Sequence, residues 1–238
     1  MEKTISVALF DLDRTLLDTE KLVGMLKRIS QAYGINPVAE RQIYWGVMNT
    51  GAKNAFSLEA YVAALRKATK HDPRLGDEAA EKVKKNIRAT GERLLIPGAQ
   101  ELLRFCKKKG IACYVLTLGL PKWQTRKILW TKLDEFFDEP HRLFTDEPNT
   151  EKGKMRLIKE RFAERVNGRG MVFFNDRADE LAEFLQKFPE ALAFGRFEPR
   201  DSRARKANFQ KLAEKFPERV YWSENLADLQ KNLETIIS

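Results

Sequence analysis

"ALFDLDRTLLDTE", residues Ala8 to Glu20, sets two aspartates, Asp11 and Asp13, one residue apart behind a run of apolar side chains. Ile5 to Phe10 reads as a short buried strand, because an unbroken apolar run of that length suits a strand covered on both faces. Two carboxylates held at a strand tip each resist ionisation unless something cationic sits between them. The stretch is therefore either an acidic turn facing water or a site built to hold a metal.

Outward from this strand the pattern changes. From Glu20 to about Arg93 the periods are helical, with no good strand candidate. In "SLEAYVAALRKATK" the residues Leu58, Tyr61, Val62 and Leu65 share one face, and Ser57 suits an N-cap. "IPGAQELLRFCKKKG" opens a helix after Pro97 and Gly98 and closes it at Gly110. Strands are then expected at Ile111 to Leu116, Arg142 to Phe144, Met171 to Phe174, Ala191 to Phe194 and in "RVYW" at Arg219 to Trp222. Helices are expected between them, from about Pro121, over Glu151 to Val166 and over Asp179 to Lys187. A last helix aligns Leu226, Leu229, Leu233 and Ile236.

This alternation predicts an α/β fold: a Rossmann-like, doubly wound parallel sheet with right-handed crossovers, interrupted by one all-helical insertion. Ligands in such sheets bind beyond the carboxyl ends of the strands. Asp11, Thr117 and Asp176 each lie just past a different predicted strand, so they are expected to converge on one rim.

The 238 residues suffice for one large domain or a core with an insertion. Apolar residues at 43% and charged residues at 32% describe an ordinary globule. No apolar run reaches the length of a membrane span and the N-terminus lacks a signal-peptide layout, so no membrane association and a cytoplasmic address are expected. The net charge of +9 suits an anionic substrate. Its densest excess, Arg196 to Lys215, reads as a solvated face rather than a nucleic-acid groove. With only His71 and His141 in the chain, His-rich metal sites and His-based triads are disfavoured.

"FDLDRTLLDTE" resembles motif I of the haloacid-dehalogenase-like (HAD) hydrolase superfamily, an Asp-x-Asp-x-Thr run at the end of the first strand. "LIPGAQELLRFCKKKGIACYVLT" resembles the stretch leading to motif II and ends at Thr117; "TEKGK" supplies a motif III lysine; "FFNDRADEL" resembles motif IV. The four matches occur in the family's order and cover nearly the whole chain. The resemblance implies a phosphatase in which Asp11 attacks phosphorus to form an aspartyl-phosphate and Asp13 moves protons to and from the reacting oxygens. It implies Mg²⁺ among Asp11, the carbonyl of Asp13 and Asp176, as suits a hard cation. Thr117, with Leu118 beside it, would bind the phosphate.

For motif III the chain offers Lys152 and Lys154, which lie 24 and 22 residues before Asp176. Lys152 is favoured because it precedes Gly153. For the later acid, Glu180 has the spacing to orient metal-bound water and Asp179 could instead cap the next helix. Arg14 stands where relatives often carry Gly; it either narrows the entrance, reaches a second anion or faces solvent. By the same resemblance residues 1–18 and 94–238 form the α/β core, and residues 19–93 form a C1-type helical cap over the rim. "DTEK" and "TGERLLIPG" are its hinges, and Arg41, Tyr44, Trp45 and Lys53 are its candidates for substrate choice. The implied partner is a small phosphorylated metabolite. A phosphomutase of the same fold and a non-catalytic binding or regulatory module are the alternatives.

Overall fold

In the computed structural model, all residues are described except 1–3, 50–55, 71, 73–76, 200, 202–204 and 238, together with the side chains of 77–80. Six strands form one parallel sheet: β1 (Val7–Phe10), β2 (Ala112–Leu118), β3 (Arg142–Thr145), β4 (Met171–Asn175), β5 (Leu192–Arg196) and β6 (Val220–Ser223). Their order is β3-β2-β1-β4-β5-β6. The first two crossovers run to one side of β1, and the chain then returns to lay β4 against its other edge. That reversal opens a crevice at the carboxyl ends of β1 and β4, where this topology binds ligands.

The short first strand holds the centre because every residue of it is apolar and buried. Ala8 and Phe10 face one layer of helices and Val7 and Leu9 face the other, as alternation along a strand requires. Register places Phe10 beside Phe174, Phe174 beside Phe194 and Phe194 beside Tyr221. Their rings stack in a row across four strands, with centroids 4.7, 4.6 and 5.1 Å apart. Each such pair adds about 1 kcal/mol beyond its buried area.

Helices α5 (Ala99–Lys108), α6 (Pro121–Trp130), α7 (Arg156–Arg161), α8 (Ala178–Lys187) and α9 (Lys206–Lys215) connect the strands, and α10 (Leu226–Ile237) closes the chain. The helix expected to reach Val166 stops at Arg161, where Phe162 leaves helical geometry. Cys106 and Cys113 are buried and unbridged. Among the described residues no helix is long and apolar enough to cross a membrane.

Between β1 and α5 lies the helical insertion: α1 (Thr19–Ala32), α2 (Pro37–Met48), α3 (Leu58–Ala68) and α4 (Asp77–Thr90). Its ends are set by side-chain caps. The carboxylate of Asp18 accepts from Lys21 N, Asn36 from Val38 N and Ala39 N, and Ser57 from Ala60 N. Leu58, Tyr61, Val62 and Leu65 are all buried, as the spacing predicts. The two connections to the sheet run side by side: Asp18 N donates to Leu94 O at 2.8 Å and Ile96 N to Leu16 O at 2.8 Å.

Candidate active site

Asp11 follows β1 directly, and its backbone N–H donates to Phe174 O of the neighbouring strand at 2.9 Å. The chain then turns sharply, with Leu16 N and Leu17 N both returning to Leu12 O. This turn brings Thr15 back under Asp11, where its Oγ1 lies 3.5 Å from Asp11 Oδ2. The turn also forces Arg14 to φ +64°, which a glycine adopts freely and an arginine at a cost of about 1 kcal/mol. Arg14 is anchored on both sides: Nη2 donates to Glu20 Oε1 at 2.8 Å, and Nε lies 3.3 Å from Asp201 Oδ2. Its carbonyl accepts from Arg196 Nη1. Arg14 therefore fastens the turn to the loop after β5. Arg196, which the sequence places on a solvated face, is buried and paired with Glu198.

The lysine at Asp11 is Lys154, which corrects the expectation of Lys152. Lys154 is buried, with Nζ 2.6 Å from Asp11 Oδ1 and 2.8 Å from Glu180 Oε2, whereas Lys152 is exposed. The cause is local. Glu151–Met155 forms a π-helical turn running into α7, with Met155 N donating to Thr150 O five residues back. That wider turn buries Gly153, Lys154 and Met155 together and leaves Lys152 outside. Gly153 permits it, since a Cβ there would lie 2.5 Å from Glu147 O.

Glu180, in the first turn of α8, also accepts from Asn175 Nδ2 at 2.8 Å. It thus clasps the lysine, while Asp179 is exposed and held by the Arg177 guanidinium, with Nε donating to Oδ1 at 2.9 Å. Thr117 is buried at the end of β2, and Leu118 beside it passes its carbonyl to Gln124 Nε2. Gly119 lies so close to that amide that a Cβ would meet Nε2 at 2.3 Å. The second acid, Asp13, is gripped by Lys127 of α6, with Nζ 2.8 Å from Oδ1 and 2.5 Å from Oδ2, and accepts from Thr19 Oγ1 at 2.8 Å.

Burial raises Asp11 to about 6 despite Lys154, with Glu180 and Asp13 adding like charge. Asp176 is raised to about 8, first by burial and then by the charge of Asp11. Burial works in the same sense on Asp13 and Glu180, but Lys127 outweighs it at the first and Lys154 at the second, and both are lowered. Two dehydrated carboxylates that repel one another are the donor set a hard divalent cation satisfies. Among the described residues no three His, Cys, Asp or Glu side chains close into a metal cluster. Asp11 and Asp176 are the side chains that could hold a hard cation such as Mg²⁺, which keeps several waters of its own.

Asp11, Asp13, Thr117, Lys154 and Asp176 all border one cavity of about 560 Å³ between the sheet rim and the helical insertion. A family model described as haloacid dehalogenase-like hydrolase matches residues 5–186. The chain belongs to that family. Solved structures agree in fold. A haloacid dehalogenase-like hydrolase from Burkholderia xenovorans LB400 is 20% identical with a TM-score of 0.66, covering 98% of this chain and 99% of the other. A protein assigned as a β-phosphoglucomutase from Thermotoga maritima is 20% identical at a TM-score of 0.61, covering 96% and 100%. The HAD-hydrolase YfnB from Bacillus subtilis, solved bound to magnesium, is 16% identical at 0.57, covering 97% and 99%. No curated protein matches the sequence.

The residues of this HAD-like hydrolase that sequence reasoning passes over are Lys127 and Thr19, while Asn175, which stands in motif IV where relatives often carry Gly, turns out to hold Glu180. Lys127 carried a signal: it lies on the face of α6 that Trp123, Gln124 and Ile128 bury, so a helical reading puts a lysine among apolar neighbours. Of the four residues proposed for substrate choice, Arg41, Tyr44 and Trp45 border the cavity from α2, and Lys53 lies outside the described residues.

Proposed function

We propose that this HAD-like hydrolase cleaves phosphomonoesters of small organic molecules through an aspartyl-phosphate on Asp11, with magnesium bound by Asp11, the Asp13 carbonyl and Asp176. The observation that supports this most is the position of Lys154, whose ammonium touches Asp11 in a cavity that Asp13 and Thr117 also border. Bound Mg²⁺ would supply positive charge for the phosphate oxygens. The nucleophile needs its negative charge kept and aimed, which Lys154 and Thr15 do. An Asp11 oxygen bonds to phosphorus as the bond to the leaving oxygen breaks, and that oxygen takes a proton from Asp13. Water then attacks the phosphorus, Asp13 takes its proton, and the bond to Asp11 breaks to release inorganic phosphate.

Asp13 as it stands is ionised by Lys127, the form the second half requires. The first half requires its acid form, and an entering phosphate offers the Lys127 ammonium another anion. The acid at position 13 favours ester hydrolysis over dehalogenation, which has no leaving oxygen to protonate. The helical insertion serves as the cap, closing over the rim on its paired connections to exclude water.

The test is release of inorganic phosphate from a panel of sugar, nucleotide and amino-acid phosphates with magnesium present. Asp11→Asn is expected to lower turnover by at least about 10³-fold. Full activity in that variant overturns the assignment, and consumption of substrate without equivalent phosphate release points to a mutase.

A further inference from the structure

Four aromatic rings are among the residues that line the cavity. Tyr44 meets Trp45 edge to face at 5.7 Å and tilts against Phe56 at 5.4 Å, and Phe56 reaches Trp123 of α6 at 5.1 Å. This chain of rings crosses from the insertion to the core along one side of the pocket, and all four rings border it. Trp45 ends the chain and is 45% exposed. Among the described residues, the other exposed large apolar side chains, Val38, Leu129 and Val166, do not border the cavity. A tryptophan left open to water beside a reactive centre is a surface for a ligand to cover.

Tyr44 is held in place from below, since it packs against Tyr61, whose hydroxyl donates to the buried Glu40 at 2.9 Å. The ring wall is therefore preorganised. The exposed cations Lys27 and Arg41 border the same space and favour an anion entering it. The volume is that of a pocket for a whole organic molecule, for which about 300–1,000 Å³ is usual, rather than for a phosphate alone.

We infer that the cavity selects phosphomonoesters whose leaving group carries a planar aromatic ring, with the phosphate at Asp11 and the ring stacked on Trp45. The inference rests on the phosphohydrolase reading and names the substrate class of that site. An aliphatic sugar phosphate offers these rings only edges and hydroxyls, whereas a base or other flat ring can stack on the open Trp45 and meet the perpendicular Tyr44 edge-on.

The test compares esters that share a ribose 5′-phosphate and differ at C1′, a base against a hydroxyl: adenosine and uridine 5′-monophosphates against ribose 5-phosphate, with magnesium present. The ratio of kcat/KM, nucleotide over ribose phosphate, is expected to be at least about tenfold in the wild type. Trp45→Ala is expected to lower that ratio by about tenfold, the loss of one stacking contact, and Trp45→Phe to retain most of it. Calorimetric binding of the same three compounds to Asp11→Asn reads recognition apart from chemistry. Hydrolysis of all three with a ratio near one, or a ratio that Trp45→Ala leaves unmoved, overturns the inference and spares the phosphohydrolase reading. Ring-dependent binding without hydrolysis of any ester sinks the phosphohydrolase reading and with it the substrate class, sparing only recognition of the ring. Absence of both overturns both.

Discussion

The two walls of the cavity follow opposite rules. On the rim of the sheet, most of the acidic groups are paired with lysines: Lys154 holds Asp11 and Glu180, and Lys127 holds Asp13. On the wall of the insertion, aliphatic side chains such as Leu22, Leu26 and Met48 stand beside the rings of Tyr44, Trp45 and Phe56, and Trp45 lies open. Buried charge tolerates little change, because losing one partner strands the other in a medium that cannot solvate it. An open ring on a helix can be exchanged with little cost to the fold. The rim is thus where chemistry is fixed, and the facing helices are where choice of substrate can drift.

The sharpest way to break this contrast is at Lys154. Lys154→Met leaves Asp11 and Glu180 buried together without their cation. It is expected to lower kcat by about 10²–10³-fold and stability by about 3 kcal/mol, measured by steady-state kinetics and urea unfolding. Lys152→Met is expected to alter both by less than a factor of two, and the reverse ranking breaks the assignment of the lysine.

Lys127→Met probes the second acid. Thr19 still anchors Asp13, so the fold is expected to persist while kcat falls about tenfold through loss of the aim of Asp13. An unchanged kcat makes the lysine a purely structural partner.

The smallest effect is expected where the walls meet. Arg126 of α6 reaches Glu59 of α3 at 2.6 Å, and Lys84 of α4 reaches the same carboxylate at 3.1 Å. Burial pushes Glu59 up, but a backbone N–H, Arg126 and Lys84 outweigh it and bring it from 4.5 to about 2. A carboxylate depressed on folding contributes stability that is fully present above 4.5 and lost as pH falls toward 2. Glu59 is largely solvated, so Glu59→Gln is expected to cost less than about 1 kcal/mol at pH 7. The difference in thermal midpoint between wild type and variant should shrink between pH 4.5 and 2. A difference independent of pH sharpens the contrast in another direction, by showing that this ionic link carries none of the contact.

Much of the fold is legible in the sequence. Apolar runs such as Met171 to Phe174 can be satisfied only between two layers, and turn residues such as Pro97 and Gly98 mark where one element yields to the next. The convergence of Asp11, Thr117 and Asp176 followed from strand ends in a parallel sheet. What a linear reading missed depended on rotation or on long-range pairing. Lys152 and Lys154 differ by a helical phase that a regular turn would have set otherwise. Lys127 meets Asp13 across 114 positions of chain, and no local pattern announces such a pair. Asp179 and Glu180 are neighbours in sequence, yet the start of α8 turns one to water and the other inward.

The wide turn at Glu151–Met155 has a consequence for how this molecule can change over generations. A regular helix advances about 100° per residue, so deleting one residue from that turn would swing the ammonium of Lys154 roughly a quarter of a revolution off Asp11. What aims the cation is the number of residues in the segment as much as their identity. Point substitutions along its outer face should accumulate freely, whereas insertions and deletions of single codons there should be purged.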